Sequence, residues 1–189
     1  MNKIILGSAS PRRLEILTMS GYDCTVIKPN IDENIPYSSP EEFVCELSRQ
    51  KAADIAEKTD GVIIAADTVV AVGGKMLGKP KDAEDAKSML RSLSERAHSV
   101  FTGYTVRQGE KAVTEVSETK VHMRKISEKE LSDYVASGDP MDKAGAYGIQ
   151  CAAGMFIESI EGDYYTVVGL PLCRISVILR EHFGITPEL

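Results

Sequence analysis

An acidic side chain interrupts the most apolar segment of the chain. Asp67 lies within residues 61–71, GVIIAADTVVA, where nearly all its neighbours are apolar. A carboxylate in such surroundings is costly to bury unless a hydrogen bond, a cation or a metal compensates its charge. Because the pKa values of such groups are easily tuned, they often serve in catalytic sites. Asp67 is therefore the leading catalytic candidate. The alternative is that it caps the turn at Gly73-Gly74 or pairs with a lysine.

A small-residue segment near the start of the chain is followed by two arginines. Residues 7–13, GSASPRR, contain a serine and a proline that are typical of the first turn of a helix. The helix dipole disfavours cations such as Arg12 and Arg13 at that position. Since a helix N-terminus and an arginine pair both attract anions, the segment predicts a phosphate-binding loop, with the Ser8 hydroxyl as a further donor. The alternative is a solvated arginine pair.

A glycine-rich segment carries the third group of candidates. Residues 142–150, DKAGAYGIQ, combine two glycines and two alanines with polar side chains, an arrangement that lets backbone approach a ligand. Tyr147 is suited to stack on a base or to bind a phosphate, and Gln150 offers a donor and an acceptor to a base edge. The alternative is a turn in which Asp142 and Lys143 pair with each other. Spacing does not separate these interpretations.

Two weaker features lie elsewhere. Lys79 stands between Gly78 and Pro80, and the proline ring would restrict the backbone and orient the lysine. Asp32 and Glu33, in a polar loop, offer hard oxygen ligands for Mg²⁺, which on a nucleotide usually takes one or two carboxylates. A lone lysine is more often a surface charge, and paired acids in loops are more often solvated. No G-x-x-x-x-G-K-[ST] motif is present, which excludes a P-loop enzyme of the usual kind.

Composition narrows the class of protein. The 189 residues carry a formal net charge of −6, which argues against broad binding to nucleic acid. The four cysteines are far apart and form no C-x-x-C pair, so reduced thiols are expected. No run approaches the ~20 apolar residues of a membrane span, and the first residues form too short an apolar run for a signal peptide. We expect a cytoplasmic protein that binds neither membrane nor nucleic acid.

Strands and helices must alternate to position these residues. The apolar and turn patterns predict strands over residues 3–6, 22–27, 61–71, 75–77, 98–107, 113–123, 155–160 and 164–168. Helices are predicted over residues 11–20, from 40 onward, and over 82–93, 127–136 and 170–183. Several connections are hairpins, so the predicted class is α/β with a mixed sheet.

Five motifs in a fixed order carry a family resemblance. SASPRR, AADTVV, GKP, DKAGAYGIQ and GDYYTVVGLP resemble the Maf family of nucleoside triphosphate pyrophosphatases over essentially the whole chain. The resemblance implies one Maf-like domain over residues 1–189. It also implies a long, mixed, twisted sheet with flanking helices and two lobes around a deep cleft, similar to the inosine triphosphate pyrophosphatases. Family members tend to be homodimers.

The resemblance further implies a reaction and its residues. The reaction is cleavage between the α- and β-phosphates of a nucleoside triphosphate with Mg²⁺ or Mn²⁺, and its proton acceptor corresponds to Asp67. The positions of substrate choice correspond to Arg12, Thr68 and Gln150, which resemble the branch acting on dTTP and UTP. The implied phosphate ligands are Ser8, Arg12, Arg13, Lys51 and Lys79, and the implied metal ligands are Glu33 and Asp67.

One position departs from the family pattern, and other functions remain open. Cys151 stands where the family usually has a glycine after the glutamine, which bears on the shape of the base pocket. Modified pyrimidine triphosphates are an alternative substrate class. A nucleotide-binding regulator without turnover, linked to septum formation, is the alternative from another class. A buried carboxylate argues against simple binding of a polyanion unless a metal intervenes.

Overall fold

The computed structural model describes residues 4–188, so Lys3 of the predicted first strand lies outside the described part. Within these residues the strands are β1 (Ile4–Gly7), β2 (Cys24–Val26), β3 (Val62–Val72), β4 (Lys75–Leu77), β5 (Ala97–Gln108), β6 (Lys111–Met123) and β7 (Ile157–Glu161). The helices are α1 (Pro11–Met19), α2 (Pro40–Ala56), α3 (Ala83–Leu93), α4 (Glu128–Ala136), α5 (Tyr164–Val168) and α6 (Leu172–Phe183). Short 3₁₀ helices span Asp139–Asp142, Ala144–Ala146 and Ala152–Phe156.

The strands form one mixed sheet in the order β2-β1-β3-β5-β6-β7, with β4 paired to β3. β1 is parallel to both β2 and β3, with Ile5 opposite Ile63, whereas the β3–β4 and β6–β7 pairs are antiparallel. Parallel neighbours need crossover connections, and α1 and α2 supply them between these strands. The predicted α/β class, with a long mixed sheet and flanking helices, is confirmed.

The chain divides into two compact units. The first runs to Asp67 and takes in Thr102–Ser117 and the stretch from Gly169 onward, and the second comprises Thr68–Phe101 and Glu118–Val168. In the first unit α2 packs on β1 and β3 through buried side chains that include Ile5, Ala52, Ile55 and Ile63. The larger core of the second unit joins α3, α4 and the 3₁₀ segments around Leu90, Tyr134 and Phe156.

Side-chain caps fix the starts of two helices. The Ser39 hydroxyl accepts a hydrogen bond from the Glu42 backbone nitrogen at the start of α2. Ser127 and Glu130 form a capping box at the start of α4, each side chain accepting from the other's backbone nitrogen. Among residues 4–188, no helix is both long and apolar enough to cross a lipid bilayer.

One predicted strand is wrong. Residues 164–168 form helix α5, although their sequence, YYTVV, is rich in residues that favour strands. The Asp163 carboxylate accepts hydrogen bonds from the backbone nitrogen (2.6 Å) and the hydroxyl (2.9 Å) of Thr166. Such a bond satisfies an otherwise unpaired donor of a first helical turn, so the cap prevails over the propensity. The strand predicted to begin at residue 155 begins at Ile157, because a 3₁₀ helix occupies the residues before it.

Candidate active site

A lysine lies between two carboxylates in the first unit. Lys51 Nζ is 2.6 Å from Asp67 Oδ1 and 2.7 Å from Glu33 Oε1. The side chains of Lys51 and Asp67 are 8% and 15% exposed, whereas that of Glu33 is 60% exposed. Asp67 therefore pairs with a lysine, which is one of the alternatives that its sequence context left open. The same geometry brings together both predicted metal ligands and one predicted phosphate ligand.

Three separate elements supply this cluster: α2 carries Lys51, β3 carries Asp67, and the loop after β2 carries Glu33. Lys51 belongs to the buried face of α2, and its aliphatic stem is covered while its ammonium reaches the carboxylates. One turn earlier, the Ser48 hydroxyl lies 2.8 Å from the hydroxyl of Thr105 on β5. The backbone of α2 lies so close to Gly103 that a Cβ there would stand 2.4 Å from the Val44 carbonyl carbon. A side chain at position 103 would push the helix away from the sheet. Gly103 therefore allows α2, and with it Lys51, to lie close to the sheet.

Arg13 ties the loop before α1 to the strand that carries Asp67. Its Nη1 donates to the Ala66 carbonyl (2.7 Å) and to Ser8 Oγ (3.0 Å), and its Nε donates to the Gly169 carbonyl (2.7 Å). Burial lowers the pKa of Arg13, and the negative charge of Asp67 opposes that shift. Arg13 is thus a half-buried, hydrogen-bonded residue rather than part of a solvated pair. Arg12 is partly exposed on the same helical turn.

In the second unit, the glycine-rich segment is joined to the turn that carries Lys79. The Gly145 backbone nitrogen donates to the Gly78 carbonyl at 3.0 Å. The Lys79 side chain next to that carbonyl is exposed, and Thr68 lies partly exposed on β3. The structure therefore connects two of the predicted motifs, GKP and DKAGAYGIQ, through their backbones.

Lys143 is buried within its own segment. Its Nζ donates to Asp142 Oδ1 (2.8 Å), to Asp139 Oδ1 (3.0 Å) and to the Asp139 carbonyl (2.5 Å). Burial alone would lower the pKa of Lys143, but the hydrogen bonds and charges of the two aspartates outweigh it and hold that pKa above its usual value. The pairing of Asp142 with Lys143 is the alternative that sequence alone did not exclude. A ligand-binding role for either residue stays a prediction.

Tyr147 is buried and Gln150 is exposed. The Tyr147 side chain is 5% exposed, and its hydroxyl lies 2.7 Å from Nε2 of His98 on β5. Burial raises the pKa of this hydroxyl. Stacking of Tyr147 on a base stays a prediction, whereas its contact with His98 is observed. Sequence reasoning gave His98 no role, because its partner is 49 residues away. The signal was a polar residue at the start of a largely apolar strand.

The donor set of the first unit fits a hard divalent cation. Glu33 and Asp67 direct one carboxylate oxygen each to a single cationic atom, Lys51 Nζ. One or two carboxylates, with phosphates and water, are the usual shell of nucleotide-bound Mg²⁺. Among the described residues, no group of three or more His, Cys, Asp or Glu side chains is placed to hold a metal alone. A metal held here would therefore share its shell with a ligand.

These features define a class of protein. A carboxylate on a buried strand, a lysine against it and an arginine-bound loop before a helix are typical of enzymes that act on phosphate groups. The chain belongs to the Maf family, since the family's sequence model, described as Maf-like protein, matches residues 3–182. The family resemblance carried by the motifs is therefore confirmed.

Similar proteins cover nearly the whole chain. It is 44% identical over 183 residues to a protein of Bacillus cereus (strain B4264) named dTTP/UTP pyrophosphatase, with 96% of each chain covered. It is 46% identical over 187 residues to a protein of that name from Dictyoglomus turgidum, again with 96% of each chain covered. A solved HAM1 protein from Coxiella burnetii aligns with 65% of this chain and 73% of its own, at a TM-score of 0.47 and 18% identity.

Proposed function

We propose that this chain hydrolyses dTTP and UTP to the nucleoside monophosphate and pyrophosphate. The relatives' names support the substrates, and one structural observation carries the chemistry: the Lys51 ammonium in contact with Asp67 and Glu33. A site that keeps carboxylates near a polyanion needs cations to offset the repulsion. Two of the predicted phosphate ligands provide such charge. Lys51 contacts the Asp67 carboxylate itself, and Arg13 donates to the carbonyl of the preceding residue, Ala66.

Asp67 is proposed as the proton acceptor. The water oxygen bonds to the α-phosphorus, its proton passes to the Asp67 carboxylate, and the bond from the α-phosphorus to the bridging oxygen breaks. The electron pair leaves with pyrophosphate. The small exposure of Asp67 and its contact with Lys51 hold the carboxylate in one orientation, which general base catalysis requires. Lys51 and Arg13 would offset the charge that develops on the leaving group.

Glu33 and Asp67 are the residues proposed to hold Mg²⁺ or Mn²⁺. When bound, such a cation would neutralise phosphate charge and lower the pKa of a bound water. Lys51, whose ammonium lies beside both carboxylates, would bind phosphate oxygens of the substrate. Ser8, Arg12, Arg13 and Lys79 are proposed as the further phosphate ligands.

Base recognition is proposed to involve Arg12, Thr68 and Gln150. Thr68 and Gln150 offer hydroxyl and amide groups that can pair with the polar edge of a pyrimidine. A site built to pair with such an edge discriminates strongly, because a wrong base leaves a buried polar group unpaired. A pocket indifferent to the 5-methyl group would accept both dTTP and UTP. A homodimer located in the cytoplasm is part of the same proposal.

Pyrophosphate release from dTTP, UTP, CTP and 7-methyl-GTP, with and without Mg²⁺ or Mn²⁺, tests the function. We expect metal-dependent release from dTTP and UTP, and a fall of about 10²- to 10⁴-fold in Asp67→Asn with dTTP binding retained. Asp133→Asn is the matched control, because it makes the same change in an exposed ion pair with Lys129. Near wild-type turnover in Asp67→Asn would contradict the base assignment. Binding without turnover in the wild type would favour the nucleotide-binding regulator.

A further inference from the structure

The segment 142–150 has a buried stem and an exposed end. Lys143, Gly145, Ala146 and Tyr147 are all buried, whereas Gln150 is exposed on a turn three residues later. An exposed side chain selects a ligand more effectively when its backbone is held in place, because ordering it during binding costs affinity. The stem is the part of the segment that can supply this order.

The first anchor of the stem is a glycine that no other residue could replace without strain. Gly145 has a φ of +67°, and a Cβ there would stand 2.9 Å from a methyl group of Val70 on β3. Its nitrogen donates to the Gly78 carbonyl. The next residue, Ala146, has a φ of +63°, a conformation that non-glycine residues adopt only when their surroundings enforce it. We therefore expect a second interaction, after Ala146 in the chain, that also holds the backbone.

The second anchor, after Ala146, is the contact between Tyr147 and His98. The two rings pack edge to face with centroids 5.4 Å apart, and the hydroxyl lies 2.7 Å from Nε2. His98 is 3% exposed, and within residues 4–188 its Nδ1 has no hydrogen-bond partner. A buried imidazole with an unpaired nitrogen costs stability. Among the described residues, the Tyr147 hydroxyl is the one hydrogen-bond partner of the His98 ring.

We propose that His98 is a positioning residue for substrate recognition, which acts by holding Tyr147 and thereby the backbone that presents Gln150. The inference rests on the proposed function, since it gives that function's base-recognition segment its anchor. His98 does not contact the substrate or transfer a proton. Its burial lowers its pKa to about 4, so the ring is neutral at neutral pH and the contact with Tyr147 does not depend on charge.

The proposal predicts a change in substrate binding rather than in turnover. In His98→Leu the Tyr147 hydroxyl loses its partner, the strained stem is free to relax, and Gln150 is displaced. We expect the KM for dTTP and UTP to rise about tenfold and the preference for them over CTP to shrink by a similar factor, with kcat within about threefold. His98→Gln should restore much of the loss, because its side-chain amide can place a nitrogen close to the position of Nε2.

A double variant separates positioning from stability. His98→Leu/Tyr147→Phe removes both polar partners, so no buried hydroxyl is left unpaired and thermal stability should recover relative to His98→Leu. The stem still lacks its anchor, so the KM should stay raised. The matched control is His122→Gln, since His122 is a neighbouring, more exposed histidine whose Nε2 lies 2.7 Å from Glu161. It should leave the KM and the base preference unchanged.

Each outcome judges the proposal separately from the proposed function. A KM that returns to the wild-type value together with the thermal stability of the double variant would overturn the positioning role, as would an unchanged KM in His98→Leu. If the wild type binds dTTP but releases no pyrophosphate, only the proposed function fails. The dissociation constant of dTTP, measured by equilibrium dialysis across the same variants, then replaces the KM as the readout.

Discussion

Each unit of the chain contains a buried lysine between two carboxylates, and the two clusters are built differently. Lys51 and Lys143 are 8% and 7% exposed, and each contacts one more buried and one more exposed acid. The partners of Lys143 are one and four residues away, and a backbone carbonyl of the same turn completes its hydrogen bonds. The partners of Lys51, by contrast, come from β3 and from the loop after β2.

The composition of such a cluster does not determine its role. A lysine whose acceptors lie in its own turn neutralises the carboxylates of that turn and holds its backbone in place. Its ammonium already donates to three acceptors there. A lysine whose acceptors come from distant segments joins groups that folding had to bring together, with one acid, Glu33, exposed enough to exchange partners. We infer that the first arrangement serves local structure and the second serves chemistry.

Replacing each lysine by methionine tests the two roles directly. In Lys51→Met we expect pyrophosphate release to fall by about 10²-fold or more, because a cation close to the reacting phosphates is lost. In Lys143→Met we expect kcat to stay within about threefold and the free energy of unfolding to fall by about 1–3 kcal/mol, because a buried set of hydrogen bonds is removed. Steady-state kinetics and urea unfolding of both variants measure these effects.

The control for both changes is Lys129→Met, which removes an exposed lysine paired with Asp133 and should alter neither activity nor stability. Equal losses of activity in Lys51→Met and Lys143→Met would show that the two clusters share one role. A loss of stability confined to Lys51→Met would reverse the comparison.

The burial of His98 also predicts that the stability of the protein depends on pH. The pKa of His98 is about 4 because burial, and then the charge of His122, disfavour its protonated form, whereas an unfolded histidine titrates near 6.5. Since the folded-state pKa is the lower one, the contribution of His98 is fully present above pH 6.5. It is lost progressively as the pH falls toward 4, by about 3 kcal/mol in total.

Urea unfolding of the wild type and of His98→Gln between pH 7.5 and 4 measures this contribution as the difference between the two pH profiles. The aspartates and glutamates titrate in both proteins and cancel from that difference. Parallel profiles would mean that His98 is not buried neutral, and the edge-to-face contact with Tyr147 would lose its support.

Much of the framework was predictable from sequence because its signals are local. The capping box of Ser127 and Glu130, the Gly73-Gly74 turn and the apolar run around Asp67 each depend on residues a few positions apart. The wrong strand at residues 164–168 shows the limit of the same reasoning. There, one side-chain cap from Asp163 outweighed the strand propensity of the residues after it.

The partners within the candidate site could not be predicted from spacing. Lys51 lies 18 residues after Glu33 and 16 residues before Asp67, and no period or motif pairs it with either. Lys51 was therefore indicated only by the family resemblance, whereas Glu33 was a weak candidate from its acidic loop. The contact of His98 with Tyr147 spans 49 residues and depends on how β5 packs against the glycine-rich segment. Such contacts follow from tertiary packing, which the chain encodes only through the whole fold.

The smallest predicted effect concerns Cys151, where the family resemblance implies a glycine. Its φ of −107° and ψ of −170° describe extended backbone that any residue adopts, so the structure does not require glycine there. We expect Cys151→Gly to lower the free energy of unfolding by about 0.5–1 kcal/mol, through the greater freedom of the unfolded chain and the loss of the hydrogen bond from Cys151 to Asp139. The KM for dTTP should stay within about twofold, because the anchors of the segment lie at Gly145 and Tyr147. A larger change in KM would place the thiol itself against the base and extend the recognition segment beyond its anchored stem.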